Sequence, residues 1–507
     1  MARPRYASGS AMSHLPNIVI IMTDQQRADL AAREGFALDT TPFLDSLARQ
    51  GADFARAYTS MPVCAPARVS LFTGRYPSAT AVRTNHNLAD VRYDTDLLDV
   101  LKSLGYATAL CGKNHSHRRG EEFDYNYSIS HGGGSGPDPA RTEQEAEFDA
   151  FLAGLHHMTH REPTPFPLDC QGPYRCVSRA QRWIDSAGDR PFFLWLSFAE
   201  PHNPFQVPEP YFSMFPPESL PPTRSGPSDI ARKSFKYQWT QRMWRRIIGD
   251  HDAAIARTRA NYMGMLRLID DQVKRFVTFL DERRLRDNTI LIFMSDHGDF
   301  AGEYGLIRKG PELPEVLCRI PLIVTGPGIV ARADRMGAHV SIADIMPTLC
   351  EAIGQDLPPG VQGRSLWPML TGGDWPEQEF DSAYCEHGYG GLYVTDRDPL
   401  TPEAEGAVND GCSFDCLNTW TQCGAMRMIR KGDWKLLYDM LGSGQLYNLA
   451  DDPAELNNRF GDPAVAAVQS ELLGDLLAWA LRAQDPLPPP RRRYHFKRHP
   501  RNYTRGQ

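Results

Sequence analysis

The feature that most constrains this chain is a set of short apolar runs, each giving way at once to polar or ionisable residues. Residues 17–23 (NIVIIMT), 106–111 (YATALC), 191–198 (PFFLWLSF) and 288–294 (NTILIFM) are rich in β-branched and aromatic residues and show no alternation. Such runs suit strands buried on both faces, the hallmark of a parallel sheet covered by helices. Helical patterns lie between them. One is entered through Thr41-Pro42, one closes at Gly105, and a long one over residues 259–284 carries Met263, Leu266, Ile269, Val273, Phe276 and Leu280 on one face. Further elements are a strand over 320–324 and a helix over 342–353. The expectation is an α/β fold, a large, mostly parallel central sheet sandwiched by helices.

Each run ends in residues that can do chemistry: Asp24-Gln25, Gly112-Lys113-Asn114-His115, Glu200-Pro201-His202 and Ser295-Asp296-His297. Residues just past parallel strands gather at one sheet edge, where α/β proteins bind ligands. Two more pieces would face that edge. Residues 61–75 (MPVCAPARVSLFTGR) read as a loop delivering Cys64 to the first turn of a short helix, with Pro66 near its start and Gly74 as its stop. A thiol there meets unpaired N–H groups and the positive end of the helix dipole, a setting that favours anions. Arg68 adds a permanent charge and a planar fork, and Lys309 comes after the glycine-bearing loop 302–305.

The boundaries expected are an N-terminal extension (1–16), a catalytic domain (17–375), a smaller C-terminal α+β domain (376–486) and a basic tail (487–507). The C-terminal domain carries strand patterns at 426–430, 434–438 and 445–449. The turn at Gly442-Ser443-Gly444 makes it an antiparallel meander, closed by a helix over 465–481. Residues 127–176 and 203–250 are rich in Gly, Pro, His and aromatics, and are expected to shape the mouth of the site.

The net charge of −7 gives no general attraction to nucleic acid or to anionic membranes. No run reads as a membrane span, and residues 1–17 lack the apolar core of a secretory signal, so a cytoplasmic protein is expected. The 10 cysteines are scattered, which favours free thiols. Cys412, Cys416 and Cys423 could bind zinc with Cys385 or His387, but their spacing fits thiols lining the site entrance better. Arg83, Asn85, His86 and Asn87 suit substrate contact or a solvated loop equally. The tail reads as a flexible end or an arm on a neighbouring subunit of a homo-oligomer.

Cys64-x-Pro66-x-Arg68, with Leu71-x-Thr73-Gly74-Arg75, resembles the motif of the type I sulfatases, in the alkaline-phosphatase-like superfamily. Gly112-Lys113-x-His115 and the Trp434-Lys435-Leu436 … Leu446-Tyr447-Asn448-Leu449 pattern extend the resemblance over nearly the whole chain. The resemblance implies that a maturation enzyme oxidises Cys64 to formylglycine, whose hydrate attacks the sulfur of a small sulfate ester. It implies one divalent cation held by Asp24, Gln25, Asp296, His297 and the oxygen at position 64, and a sulfate clamp of Arg68, Lys113, His202 and Lys309. His115 is expected to take the proton that lets the diol collapse to the aldehyde and expel sulfate, and His202 with Lys309 to protonate the leaving alcohol. Gln25 and His297 depart from an all-oxygen set of ligands and resemble choline sulfatases and phosphonate monoester hydrolases. They admit manganese beside calcium, with magnesium a further option. The alternative function on the same fold is hydrolysis of phosphonate monoesters or phosphodiesters.

Overall fold

A computed structural model describes residues 15–134, 136–248, 250–390, 423–485 and 499–504. Ten strands form one sheet. In chain order they are β1 (Asn17–Asp24), β2 (Ala52–Tyr58), β3 (Ala107–Gly112), β4 (Tyr125–Ser130), β5 (Gly133–Gly134), β6 (Phe192–Pro201), β7 (Thr289–Ser295), β8 (Arg319–Ile320), β9 (Leu322–Thr325) and β10 (Met336–Ser341). The spatial order is β10-β2-β9-β7-β1-β6-β3-β4-β5, with β8 beside β2. The central strands β7, β1, β6, β3 and β4 are parallel, as expected. β9 runs antiparallel to both β7 and β2, so the sheet is mixed toward that side.

Alternate residues of β1 enter opposite cores. Ile18, Ile20 and Met22 pack with the helices Cys64–Thr73 and Leu97–Ser103, while Val19 and Ile21 pack with Gly172–Ser186 and His251–Glu282. All five are fully buried. Each contributes about 1.5–3 kcal/mol relative to exposure, which locks the register. Thr23 pairs with Ser295, Asp24 with Pro201, and Gly112 with Ser197. The C-terminal ends of β1, β3, β6 and β7 are therefore level at one edge.

A second sheet of β11 (Ser382–His387), β12 (Met426–Lys431), β13 (Trp434–Asp439) and β14 (Gly444–Asn448) is wholly antiparallel. The helix Ala466–Gln484 covers it through Leu472, Leu476, Trp479 and Ala483. Together with its first turn this helix is long and apolar enough by composition to cross a membrane, contrary to the sequence reading. Its inner face packs on the sheet, and Leu477 and Leu481 point outward.

Several strands lay outside the sequence expectation, among them β2, β10 and β11. β2 (ADFARAY) pairs its charges with distant residues: Asp53 with Arg335, and Arg56, at the surface, with Asp433. The two loop-like stretches also hold the helices Glu143–Gly154 and Phe235–Ile247. Tail residues 499–504 seat on their own chain, with Tyr503 donating to the Ser365 carbonyl at 2.7 Å and Arg501 paired with Glu351. This part is held on its own chain, and the rest of the basic tail lies outside the described residues. Cys412 and Cys416 lie outside the described residues. Cys423 is buried.

Candidate active site

The helix Cys64–Thr73 starts where expected and ends at Gly74, whose φ of 61° makes the left-handed stop. Its open N-terminus is partly capped from a distance, because Asn85 Oδ1 accepts from the Ala65 N–H at 3.0 Å. Asn85 is thus a support of the nucleophile helix. Two glycines let the strand ends close on the site. A Cβ at Gly112 would lie 1.8 Å from the Ser197 carbonyl oxygen, and one at Gly298 would lie 1.9 Å from that of Val316. Gln25 (φ 72°) and His115 (φ 47°) hold left-handed backbone that non-glycine residues seldom adopt, a strain that marks functional sites.

The Cys64 sulfur is the point on which these groups converge. It lies 3.3 Å from His297 Nε2, 3.3 Å from Lys309 Nζ and 3.6 Å from Asp24 Oδ1, and the buried His115 side chain is close enough to feel its charge. Burial and the Asp24 charge push the thiol up, but Lys113, Lys309 and His297 outweigh them and hold it well below the usual thiol range. Asp24, Cys64, Asp296 and His297 each offer a ligand atom within 4.8 Å of the others, and all four are buried. His297 Nδ1 lies 2.9 Å from the Gly298 carbonyl and donates to it, which leaves the Nε2 lone pair for a ligand. Burial and the Asp24 charge hold Asp296 above the normal carboxylate range. Two carboxylates and an imidazole so placed fit one divalent cation.

Gln25 completes the arrangement. Its Nε2 donates to Asp299, so the amide turns Oε1 toward Lys309 Nζ at 3.3 Å. Asp299 escaped the sequence reading, and its position three residues past Asp296 was the available signal. It is buried and also accepts from the Ala301 and Arg308 N–H groups.

Arg68 is fully buried and heavily engaged by the protein itself. Nε donates to Asp296 at 2.9 Å and Nη2 to Asp24 at 3.1 Å, while Nη1 meets the Lys113 carbonyl and Ser197 Oγ. It braces the two carboxylates from behind. The expected role as a sulfate clamp meets a guanidinium with little left to offer.

Lys113 Nζ rests on Asp24 and, at 2.7 Å, on His131 Nε2. Lys309 Nζ rests on His202 Nε2 at 3.3 Å. Asp24, His131 and His202 could themselves hold a cation, but the two ammonium groups already supply positive charge there. All ten residues expected at the site are brought together. His131, on the turn between β4 and β5, was not among them, since a histidine in a Gly-rich stretch carries no distinguishing signal.

The Sulfatase family pattern matches residues 16–355, well over half of the chain. The chain therefore belongs to the sulfatase family of sulfuric ester hydrolases. It is 26% identical over 472 residues to the arylsulfatase of Clostridium perfringens, spanning 87% of this chain and 90% of that protein. It is 28% identical to the multifunctional alkaline phosphatase superfamily protein PehA of Trinickia caryophylli, over 96% of this chain and 98% of that one. Among solved structures, the phosphonate monoester hydrolase of Agrobacterium radiobacter shares the fold with a TM-score of 0.74 at 24% identity, covering 92% of this chain and 96% of that one.

Proposed function

We propose that this chain hydrolyses sulfate monoesters of small alcohols or phenols, with formylglycine made from Cys64 as the nucleophile and one divalent cation. The observation that carries this reading is the setting of Cys64. One sulfur position is shared by His297, Lys309 and Asp24 at the start of a buried helix. Asp24, Gln25, Asp296 and His297 would hold the cation, calcium or manganese by their chemistry. When bound, it lowers the pKa of a hydroxyl at position 64 and shields an incoming anion. Formylglycine hydrate supplies two hydroxyls on one carbon, so that one can attack sulfur while the other later releases the product.

The remaining work falls to the chain's own side chains. Lys113 and Lys309 neutralise sulfate oxygens as charge builds on them. Arg68 holds Asp24 and Asp296 fixed under position 64. His115 faces position 64 and takes a proton from it. His202 donates its Nδ1–H to the Asn203 carbonyl at 2.8 Å, so its Nε2 is an acceptor for Lys309. The proton for the leaving oxygen then comes from Lys309 Nζ, with His202 behind it. A phosphonate monoester presents similar oxygens, and the fold shared with a phosphonate monoester hydrolase supplies that second reading.

Two measurements test the proposal. Mass spectrometry of the Cys64 peptide, from a host that matures sulfatases, should show conversion of thiol to aldehyde, trapped by a hydrazide. On that material, kcat/KM for an aryl sulfate should exceed that for the matching aryl phosphonate. An unmodified thiol together with no turnover would overturn the mechanism, and the reverse preference would establish the second reading.

A further inference from the structure

His131 lies on the turn between β4 and β5, in a stretch otherwise of glycine and serine. Its ring stacks face to face on His202, with centroids 3.7 Å apart and planes 18° from parallel. Its Nε2 lies 2.7 Å from Lys113 Nζ. A lysine ammonium can only donate, so this nitrogen must accept and the ring proton must sit on Nδ1. That Nδ1 is buried and has no partner among the described residues. His202 is arranged the same way, accepting from Lys309 at Nε2. Each of the two clamp lysines therefore rests on one imidazole, and the two imidazoles rest on each other.

The turn is well anchored. A Cβ at Gly133 would lie 2.2 Å from Asp149 Oδ1, so the backbone passes directly over that side chain. Asp149 in turn pairs with Arg175 at 2.6 Å. On the far side the His157 ring stands edge-on to His131 at 6.2 Å, and Arg308, the neighbour of Lys309, donates to the His157 carbonyl. Three separate loops meet in this contact.

We propose that His131 is a positioning residue, the half of a His131–His202 clasp that fixes the spacing of Lys113 and Lys309 around the transferred group. It acts through Lys113 by its lone pair and through His202 by its face. The proposal rests on the functional reading above, which places those lysines on the sulfate oxygens. It predicts that the two imidazoles act as one unit in turnover. It also predicts that leaving groups needing a proton suffer most when His131 is lost.

The test is a double-mutant cycle on the mature, metal-loaded enzyme, using a series of aryl sulfates with phenols of rising pKa. His131→Ala and His202→Ala should each lower kcat, on the order of 10–100-fold, with KM changed less. The loss should grow as the phenol becomes a poorer leaving group, with the same slope for both variants. The double variant should be little worse than His202→Ala alone. His131→Asn keeps an acceptor without the stack and His131→Phe keeps the stack without an acceptor, so each should restore part of the loss. Additive losses, or a leaving-group slope unmoved by His131→Ala, would overturn the proposal. If the wild type turns over no ester the functional reading fails, and ¹⁵N NMR still decides on the clasp. His131 in the Nδ1–H form, shifting on Lys113→Met, supports it, and an Nε2–H form sinks it.

Discussion

Two buried charge clusters in this molecule use the same residue types to opposite ends. In the seam between the sheets, Lys435 on β13 lies 2.8 Å from Glu455 and 3.3 Å from Glu315. Glu315 also accepts from Tyr58 at 2.7 Å, and Glu455 accepts from the Glu315 N–H at 2.7 Å. Every carboxylate oxygen is answered from within. At the active site, burial is as deep, but His297, Lys309 and Asp24 converge on one point, the sulfur of Cys64. Depth and charge are shared. What separates a structural cluster from a reactive one is whether the donors and acceptors close on each other or on a space for something else.

Changing Cys64 should break the contrast most sharply. Cys64→Ala should abolish turnover, by at least about 10³-fold, because the attacking atom is gone. The melting temperature should hold, since one buried thiol lost from a polar pocket is a small change. Rates and melts of the same preparation check both halves.

Removing the cation comes next. Chelation should stop turnover and lower the melting temperature, and adding metal back should restore both. A cation present at 100 times its Kd stabilises the fold by about 2.7 kcal/mol, so calorimetry with and without metal reads the coupling directly. Asp296→Asn should lose most of that metal-dependent shift.

The seam should behave in reverse. Lys435→Met leaves Glu315 and Glu455 facing each other in a buried place and should cost about 3–5 kcal/mol. The fraction that remains folded should keep its kcat. A large fall in kcat without a fall in melting temperature would show that the seam reaches the site.

The last effect concerns pH. His339 is buried in the same seam, its ring stacked over Tyr58, and burial together with the charges of Arg56 and Arg430 lowers it to about 3. The unfolded chain takes up this proton near pH 6.5 and the folded chain only near 3. Its stability is thus fully present above pH 6.5 and falls as pH drops through that window, by about 1.4 kcal/mol per unit. His339→Phe should flatten the acid limb of a denaturation series by one proton.

The strands at the centre of the sheet were legible because β1, β6 and β7 are buried on both faces, and that demands unbroken apolar runs. The residues past their ends were legible as a site because parallel strands must end together. The edges were not. β2 reads as a charged loop until Arg335 and Asp433, nearly 300 residues or more away, are seen to pair with its charges. The direction of β9 depends on how the chain returns to the sheet, which no local pattern records.

By itself, then, the sequence determined which chemistry is present and on which edge: a thiol at a helix start, two carboxylates, two lysines and three histidines past strand ends. Only the tertiary structure decided how those groups are used. It turned Arg68 inward as a brace, oriented Gln25 through Asp299, supported the Cys64 helix through Asn85, and stacked His131 on His202. The physical reason is the same in each case. A residue's type is local, but the partner that satisfies its hydrogen bonds is brought from elsewhere in the chain by packing.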